Sequence, residues 1–351
     1  MTPSTYRRKL QGAIIGRFAG CALGAPVELM ELGQLKNYCA SVPGQEFPPM
    51  DYFLQAPNPD GPRYKVGKGR HFTRHEMAFL STDDDIAYTL LSLLMLEQHG
   101  HALTTEHVAD FWRKYLPEEC TFTAERATLR NLNNGIDPLI AATIDNPESD
   151  YIGAAIRIDG YGYINPGNPK EAARLASVDA WLSHREEGLH SAMYFAALIA
   201  LAFESNDIDQ SMHDALRYIP SDGTLYQELQ WALSKMDDVK DYDIANRLVS
   251  DRYPSMSWVH ATNNACLTVW GIHLGRNDYT RGISQTVAMA YDNDCTAATV
   301  GSVLGAYLGM EAIDRKWYQP WNNKILSYLH GVESFALDDV IERFYHLGTK
   351  E

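Results

Sequence analysis

The sequence predicts an all-α protein, a compact multi-helix bundle with a single domain spanning residues 1–351, and three observations predict it. Apolar residues recur at the 3.6-residue helical period in one segment after another. Strand-like alternation is scarce. No Gly/Ser-rich or Pro-rich linker and no internal repeat divides the chain. At 351 residues it is long enough for one large domain or two ordinary ones, and it can bury a substantial core.

The helical period or a continuous apolar run marks Tyr88–Glu97, His107–Tyr115, Pro169–Ser183, Ser191–Phe203, Tyr226–Met236, Ala261–Leu274 and Thr296–Met310. Many of these are alanine-rich and apolar on most sides, which places them inside a bundle rather than on its surface. Gly12, Gly16, Gly20 and Gly24 recur every four residues and so line one stripe of a helix, as do Gly301, Gly305 and Gly309. Each helical glycine costs about 1 kcal/mol relative to alanine, and close approach of helix backbones in the bundle centre is the reason to keep them. The Gly- and Pro-rich stretch from Pro43 to Arg74 reads as a loop, longer than an idle connection and placed to cover a site.

Composition is that of a globular chain, 45% hydrophobic and 21% charged. Apolar runs such as Met193–Phe203 fall short of the roughly 20 residues of a bilayer span. Arg7, Arg8 and Lys9 are not followed by a signal-peptide core, so a cytoplasmic protein is expected. The scattered Cys21, Cys39, Cys120, Cys266 and Cys295 form no CxxC pair, which argues against a disulfide framework and against a zinc site. A net charge of −15 disfavours nucleic acid as a partner, although bound cations can reverse the field locally.

Two acidic clusters stand ahead of buried helices. Ser81-Thr82-Asp83-Asp84-Asp85 offers a natural N-cap, and aspartates suit the positive end of the helix dipole. A capped helix start accounts for one or two of them; three in a row repel unless a cation or solvent answers the charge. Asp292-Asn293-Asp294-Cys295-Thr296 repeats the design. Oxygen-rich sets select hard cations such as Mg²⁺, Mn²⁺ or Ca²⁺, and the spacing does not fit an EF-hand. Both clusters could converge on one pair of ions, with Glu28 either a third carboxylate beside them or a solvated helix end. A two-metal site polarises oxygens and activates water, ribose supplies a vicinal diol to ligate it, and a carboxylate can deprotonate the water.

At these residues the chain resembles the ADP-ribosylglycohydrolase family, which includes dinitrogenase reductase-activating glycohydrolases and ADP-ribosylarginine hydrolases. Gly20-Cys21-Ala22-Leu23-Gly24-Ala25-Pro26-Val27-Glu28 is similar to the family's GDALGAPVE segment, Thr82–Asp85 to TDDT, and Asp292–Cys295 to DTDT. The resemblance runs from Gly12 to Gly309. It implies an all-α bundle with two Mg²⁺ ions, or Mn²⁺ in their place. It puts Thr82, Asp83, Asp84, Asp292, Asp294 and Cys295 at metal-ligand positions and Glu28 beside the metals, with Asp83 or Asp84 activating water. Cys21 replaces an aspartate, Cys295 a threonine ligand, and Asp85 a second threonine. Tyr291 stands where glycine is common and is expected to narrow the pocket.

The segment from Ile152 to His184 resembles one branch of the family. Its Gly162, Tyr163 and Gly167 are expected to line a ribose pocket, and His184 either contacts ligand or is structural. Trp258, His260, Asn263 and Asn264 suit a base or a distal ribose, or else core packing. Three functions follow as expectations. The first is hydrolysis of ADP-ribose from arginine or a related acceptor, on a protein or a small conjugate. The second is hydrolysis of a small N-riboside or nucleotide-derived metabolite. The third is an ADP-ribose-binding relative without turnover, to which Cys295 points.

Overall fold

The structure, a computed structural model, describes residues 1–63 and 67–349, and helices carry most of its regular structure. In chain order they are α1 (Pro3–Gly24), α2 (Leu32–Ser41), α3 (Asp84–His99), α4 (Thr105–Tyr115), α5 (Thr123–Asn133), α6 (Asp159–Tyr163), α7 (Pro169–Ala180), α8 (Glu186–Ala202), α9 (Ile208–Ala215), α10 (Thr224–Ser234), α11 (Tyr242–Arg252), α12 (Ala261–Gly275), α13 (Tyr279–Ala288), α14 (Asn293–Leu308) and α15 (Leu337–Thr349). The all-α expectation holds. Every helix predicted from the period is present; α3 and α14 start earlier than predicted, so that each acidic cluster forms a first helical turn.

The glycine stripes meet each other. A Cβ at Gly16 would lie 2.2 Å from the Gly301 carbonyl oxygen, at Gly20 2.0 Å from that of Ala297, and at Gly305 2.1 Å from that of Gly12. α1 and α14 therefore run antiparallel with their backbones in contact, which only glycine permits at these positions. The same register sets a Cβ at Gly24 only 2.4 Å from Asp294 Cα. The C-terminal end of α1 thus meets the N-terminal end of α14. Pro3–Val27 is long and apolar enough to cross a bilayer by length and composition, unlike the shorter runs weighed from sequence, yet 89% of its apolar window is buried inside the protein. It is a central packing helix here.

Strand structure among the described residues is two small antiparallel pairs, β1 (Pro62–Arg63) with β2 (Gly67–Lys68), and β3 (Lys324–Leu326) with β4 (Ser334–Ala336). β3 also brackets Leu80: the Leu80 amide donates to the Lys324 carbonyl at 2.8 Å, and the Leu326 amide to the Leu80 carbonyl at 2.9 Å. This contact fixes the approach to Thr82 and Asp83. The 43–74 stretch contains β1, β2 and a short turn of helix at Gly69–Phe72, and its Tyr64–Val66 lie outside the described residues. Gly67 packs on the Ser81 hydroxyl, behind the first acidic cluster, and none of the loop's described residues lines the cavity described next.

Candidate metal centre and active-site cavity

Three helix ends build the site: the N-termini of α3 and α14 and the C-terminus of α1. Asp83 is the N-cap of α3 and accepts from the Asp85 amide at 3.3 Å, leaving Asp84 and Asp85 in the first turn. Asp292 is the N-cap of α14, but its carboxylate makes no capping hydrogen bond. Its backbone carbonyl instead receives the Thr296 amide at 3.1 Å and hydroxyl at 3.0 Å. Ala290 and Tyr291 just before it both sit at φ 65°, a left-handed conformation that costs roughly 1–2 kcal/mol for each such residue. Strain of this kind persists where the surrounding structure over-determines it, and it aims Asp292 inward.

The side chains form two groups that share Asp294. The Cys21 sulfur and one carboxylate oxygen each of Asp83, Asp85 and Asp294 lie within 4.8 Å of one another, as do the corresponding atoms of Asp292, Asp294 and Cys295. All are buried. The Asp292 carboxyl is pushed up to about 7, first by burial and then by the charge of Glu28, while the Cys295 thiol hydrogen-bonds to it. Burial also drives Asp85 well above the ordinary carboxylate range, against the pull of Arg17. Arg17 is fully buried and joins α1 to α3, bonding Thr89 Oγ1 at 2.7 Å and Asp85 Oδ1 at 2.9 Å, with Asp159 at 2.9 Å beyond.

These residues fit a pair of divalent cations. Among the described residues, the buried Thr82 Oγ1, Asp85 Oδ2 and Asp292 Oδ1 have no hydrogen-bond partner, and a buried oxygen left unanswered costs about 1–3 kcal/mol. Cations at the two groups would supply the missing partner.

Beside the groups lies a cavity of about 480 Å³, where Glu28, Asp84, Asp292 and Cys295 face the apolar Leu29, Phe122, Ile152, Ile156 and Val259. Glu125 stands on the far wall. Arg157 holds it at 2.9 Å and burial raises its carboxyl, an effect the arginine opposes. A Cβ on Gly153 would collide with Glu125 Oε1 at 2.1 Å, so glycine there leaves room for the carboxylate. The wall is fixed by an exchange between chain segments: the Ile152 amide donates to Val259 O at 3.0 Å and the Ala261 amide to Asp150 O at 3.1 Å.

Of the predicted ligands, the structure brings Asp83, Asp292, Asp294 and Cys295 into the two groups and sets the buried Thr82 next to Asp83. Asp84 is less buried and lines the cavity with Glu28. Cys21, which stands in place of an aspartate, belongs to a group, together with the Asp85 that replaces a threonine. The carboxylate missing at position 21 is thus regained a few ångströms away at position 85.

The predicted substrate residues fall elsewhere. Gly162 and Tyr163 belong to α6 in the core: a Cβ at Gly162 would strike Ile199 at 2.6 Å, and the Tyr163 hydroxyl reaches Ser302 Oγ at 2.9 Å. Gly167 turns at φ 74° beside Glu204, away from the cavity. His184 is fully buried behind Glu125, its Nδ1 2.8 Å from Ser183 Oγ and its Nε2 4.0 Å from Glu125. Tyr291 packs at a tilt against Trp258 and hydrogen-bonds Ser250 at 3.0 Å, lining a separate cleft of about 290 Å³ and leaving the main cavity unnarrowed. Asn263 and Asn264 tie the turn at Ser257–His260 to the start of α12. Glu125 and Phe122 were missed, since an ordinary amphipathic segment carries no sign of them. Arg17 did leave a sign, a lone charge in an apolar glycine stripe that needs a buried acid.

A family model described as ADP-ribosylglycohydrolase matches residues 2–349. Among solved structures, a chain described as an ADP-ribosylglycohydrolase-related protein complex aligns with a TM-score of 0.61 at 18% identity, covering 98% of this chain and 98% of its own. At that identity the likeness is one of fold. A comparison with curated proteins finds no match.

Proposed function

This chain belongs to the ADP-ribosylglycohydrolase family, and on that premise we propose that it hydrolyses the N-glycosidic bond between ADP-ribose and arginine, on a protein or a small conjugate. The family consists of metal-dependent, glycosidase-type hydrolases acting on ADP-ribosylated substrates. The observation that carries the arginine reading is the charge of the cavity: Glu28 and Asp84 line it beside Asp292, Glu125 is already paired with Arg157, and among the described residues no basic side chain lines it. A guanidinium aglycone is a cation, and carboxylates at hydrogen-bond range attract and orient it.

Thr82, Asp83, Asp292 and Asp294 would hold the cations, Mg²⁺ or Mn²⁺ by resemblance to the family. Such a pair supplies polarisation of the ribose hydroxyls and of water when bound. Asp84, facing the cavity, takes the proton of the attacking water. Glu28, whose charge is felt by Asp292, orients the substrate from the adjoining wall. The buried Ile152 and Ile156 give the cavity an apolar wall that strengthens these interactions.

A second reading, hydrolysis of a small N-riboside, is favoured by the apolar wall of Phe122, Ile152, Ile156 and Val259, which suits a flat uncharged base. The deciding experiment measures free ADP-ribose released from ADP-ribosyl-arginine by chromatography, with Mg²⁺ or Mn²⁺ and then with EDTA. Metal-dependent release is expected, and Asp84→Asn should lower it by about 10²-fold or more. Release of ribose from small ribosides alone would install the second reading. Release unaffected by EDTA would remove the metal from the mechanism.

A further inference from the structure

We propose that Cys21 and Cys295 are metal ligands, and that the paired site therefore prefers a borderline divalent cation of the Fe²⁺, Co²⁺, Zn²⁺ kind over Mg²⁺. The proposal rests on the metal-dependent reading above and goes beyond it by naming the class of ion.

Each group of the site contains one sulfur. Cys21 Sγ lies within 4.8 Å of oxygens from Asp83, Asp85 and Asp294, and Cys295 Sγ within the same distance of Asp292 and Asp294. That span is the reach of donors around a single ion. Neither sulfur can turn away easily. Cys21 is fully buried on α1, whose next turn is clamped to Asp294 through Gly24. Cys295 is 6% exposed in the first turn of α14, with its thiol directed at the carboxylates of Asp85 and Asp292. Independent of the sulfurs, the buried Asp85 Oδ2 and Asp292 Oδ1, on residues of the first and the second group, have no hydrogen-bond partner among the described residues.

Hard Mg²⁺ seeks a near-octahedral shell of oxygens, whereas thiolate is a soft donor that borderline ions accept. Binding forms a metal–sulfur bond and breaks the S–H bond, releasing the proton to solvent, so the metal draws the thiol into the anionic form that binds it. Mixed carboxylate–thiolate sets at two adjoining positions therefore shift selectivity without loss of charge.

The test uses the full chain stripped with a chelator and titrated with Cd²⁺, Co²⁺, Zn²⁺ and Mg²⁺. Thiolate-to-metal charge-transfer absorption with Cd²⁺ and Co²⁺ reports sulfur ligation, as does a ¹¹³Cd resonance downfield of the oxygen-only range. We expect both signals in the wild-type chain, and Zn²⁺ bound at least about tenfold more tightly than Mg²⁺. Cys21→Ser and Cys295→Ser should each remove part of the absorption and about tenfold or more of Cd²⁺ affinity, with Mg²⁺ affinity within roughly threefold. Cys39, Cys120 and Cys266 remain in both variants and cannot account for such a loss. Cd²⁺ bound without sulfur signals, absorption retained in both variants, or equal affinity for Mg²⁺ and Zn²⁺ would overturn the proposal and leave the metal-dependent reading standing. Binding of no cation at all would sink both. If either variant fails to fold, the ¹¹³Cd shift of the wild-type chain, displaced by competing Zn²⁺, decides alone.

Discussion

Two buried acidic regions lie within the same bundle and are satisfied in opposite ways. Around Arg157, the acids are answered from within the chain. Its guanidinium reaches Glu125 at 2.9 Å, Ser183 Oγ at 2.7 Å and Asp179, whose other oxygen receives the Tyr161 hydroxyl at 2.6 Å. The ring of Trp112 lies 4.9 Å beneath the guanidinium. At the meeting of α1, α3 and α14, by contrast, Asp292 Oδ1, Asp85 Oδ2 and Thr82 Oγ1 have no hydrogen-bond partner among the described residues. The first region is answered by its own cation; in the second, Arg17 answers only Asp85 Oδ1, and the remaining oxygens are built to receive cations. Burial of carboxylates therefore does not by itself identify a site, but unanswered oxygen atoms at two helix N-termini do.

The sharpest way to break this contrast is to remove the internal cation. Arg157→Met should cost about 3–5 kcal/mol of stability in urea unfolding, because Glu125 and Asp179 would stay buried without their counter-ion. Neutralising those acids as well, with Glu125→Gln and Asp179→Asn, should recover much of the loss. A cost below about 1 kcal/mol would mean that the network is not what pins this wall. Next in size is the effect of the missing cation itself. Adding a divalent ion at one hundred times its dissociation constant to the stripped protein should raise stability by about 2.7 kcal/mol. Asp83→Asn should abolish that increment, measured by thermal unfolding with and without EDTA. An undiminished shift in the variant would move the ion away from these groups.

The contrast also explains what the sequence could and could not reveal. The glycine stripes, the helical class and both acidic clusters were legible because each leaves a local periodic or compositional trace. Gly301 and Gly16 are spaced for backbone contact wherever they stand in the chain. Glu125 left no trace, since its role arises only when α5 is brought against Gly153 and Arg157. Gly162 and Tyr163 misled for a related reason: a glycine–aromatic run reads as a ligand loop, yet here it lets α6 press against Ile199 and Ala13. The partnership of Cys21 with Asp85 depends on the α1–α14 register and on the first turn of α3 together, which no linear pattern displays.

A smaller effect sharpens the contrast from the metal side. In the metal-free protein the Asp292 carboxyl is raised to about 7, against about 3.9 in an unfolded chain. The folded state then binds more protons than the unfolded state, so stability is highest below about pH 4 and is lost as pH rises through 7. Asp292→Asn should remove that decline and stabilise the stripped protein at about pH 5.5 by on the order of 2 kcal/mol. A variant less stable than the stripped wild type would show that Asp292 is already satisfied without an ion.

The smallest effect tests the Arg157 region by the opposite sign. His184 is fully buried, and burial first, then the charges of Arg157 and Arg185, hold its imidazole well below the ordinary histidine range. The folded state refuses a proton that the unfolded chain takes up near pH 6.5. Stability carried by neutral His184 is therefore present above that pH and is lost as pH falls below it. At pH 6 the loss is about 1 kcal/mol relative to pH 8. Histidine-to-asparagine substitution at this position, His184→Asn, should flatten the slope between pH 8 and 6 by that amount, whatever it does to stability at pH 8. An unchanged slope would mean that His184 protonates in the folded protein, with Glu125, 4.0 Å away, as its acceptor. The Arg157 region would then have a second cation of its own, and the far wall of the cavity would change charge with pH.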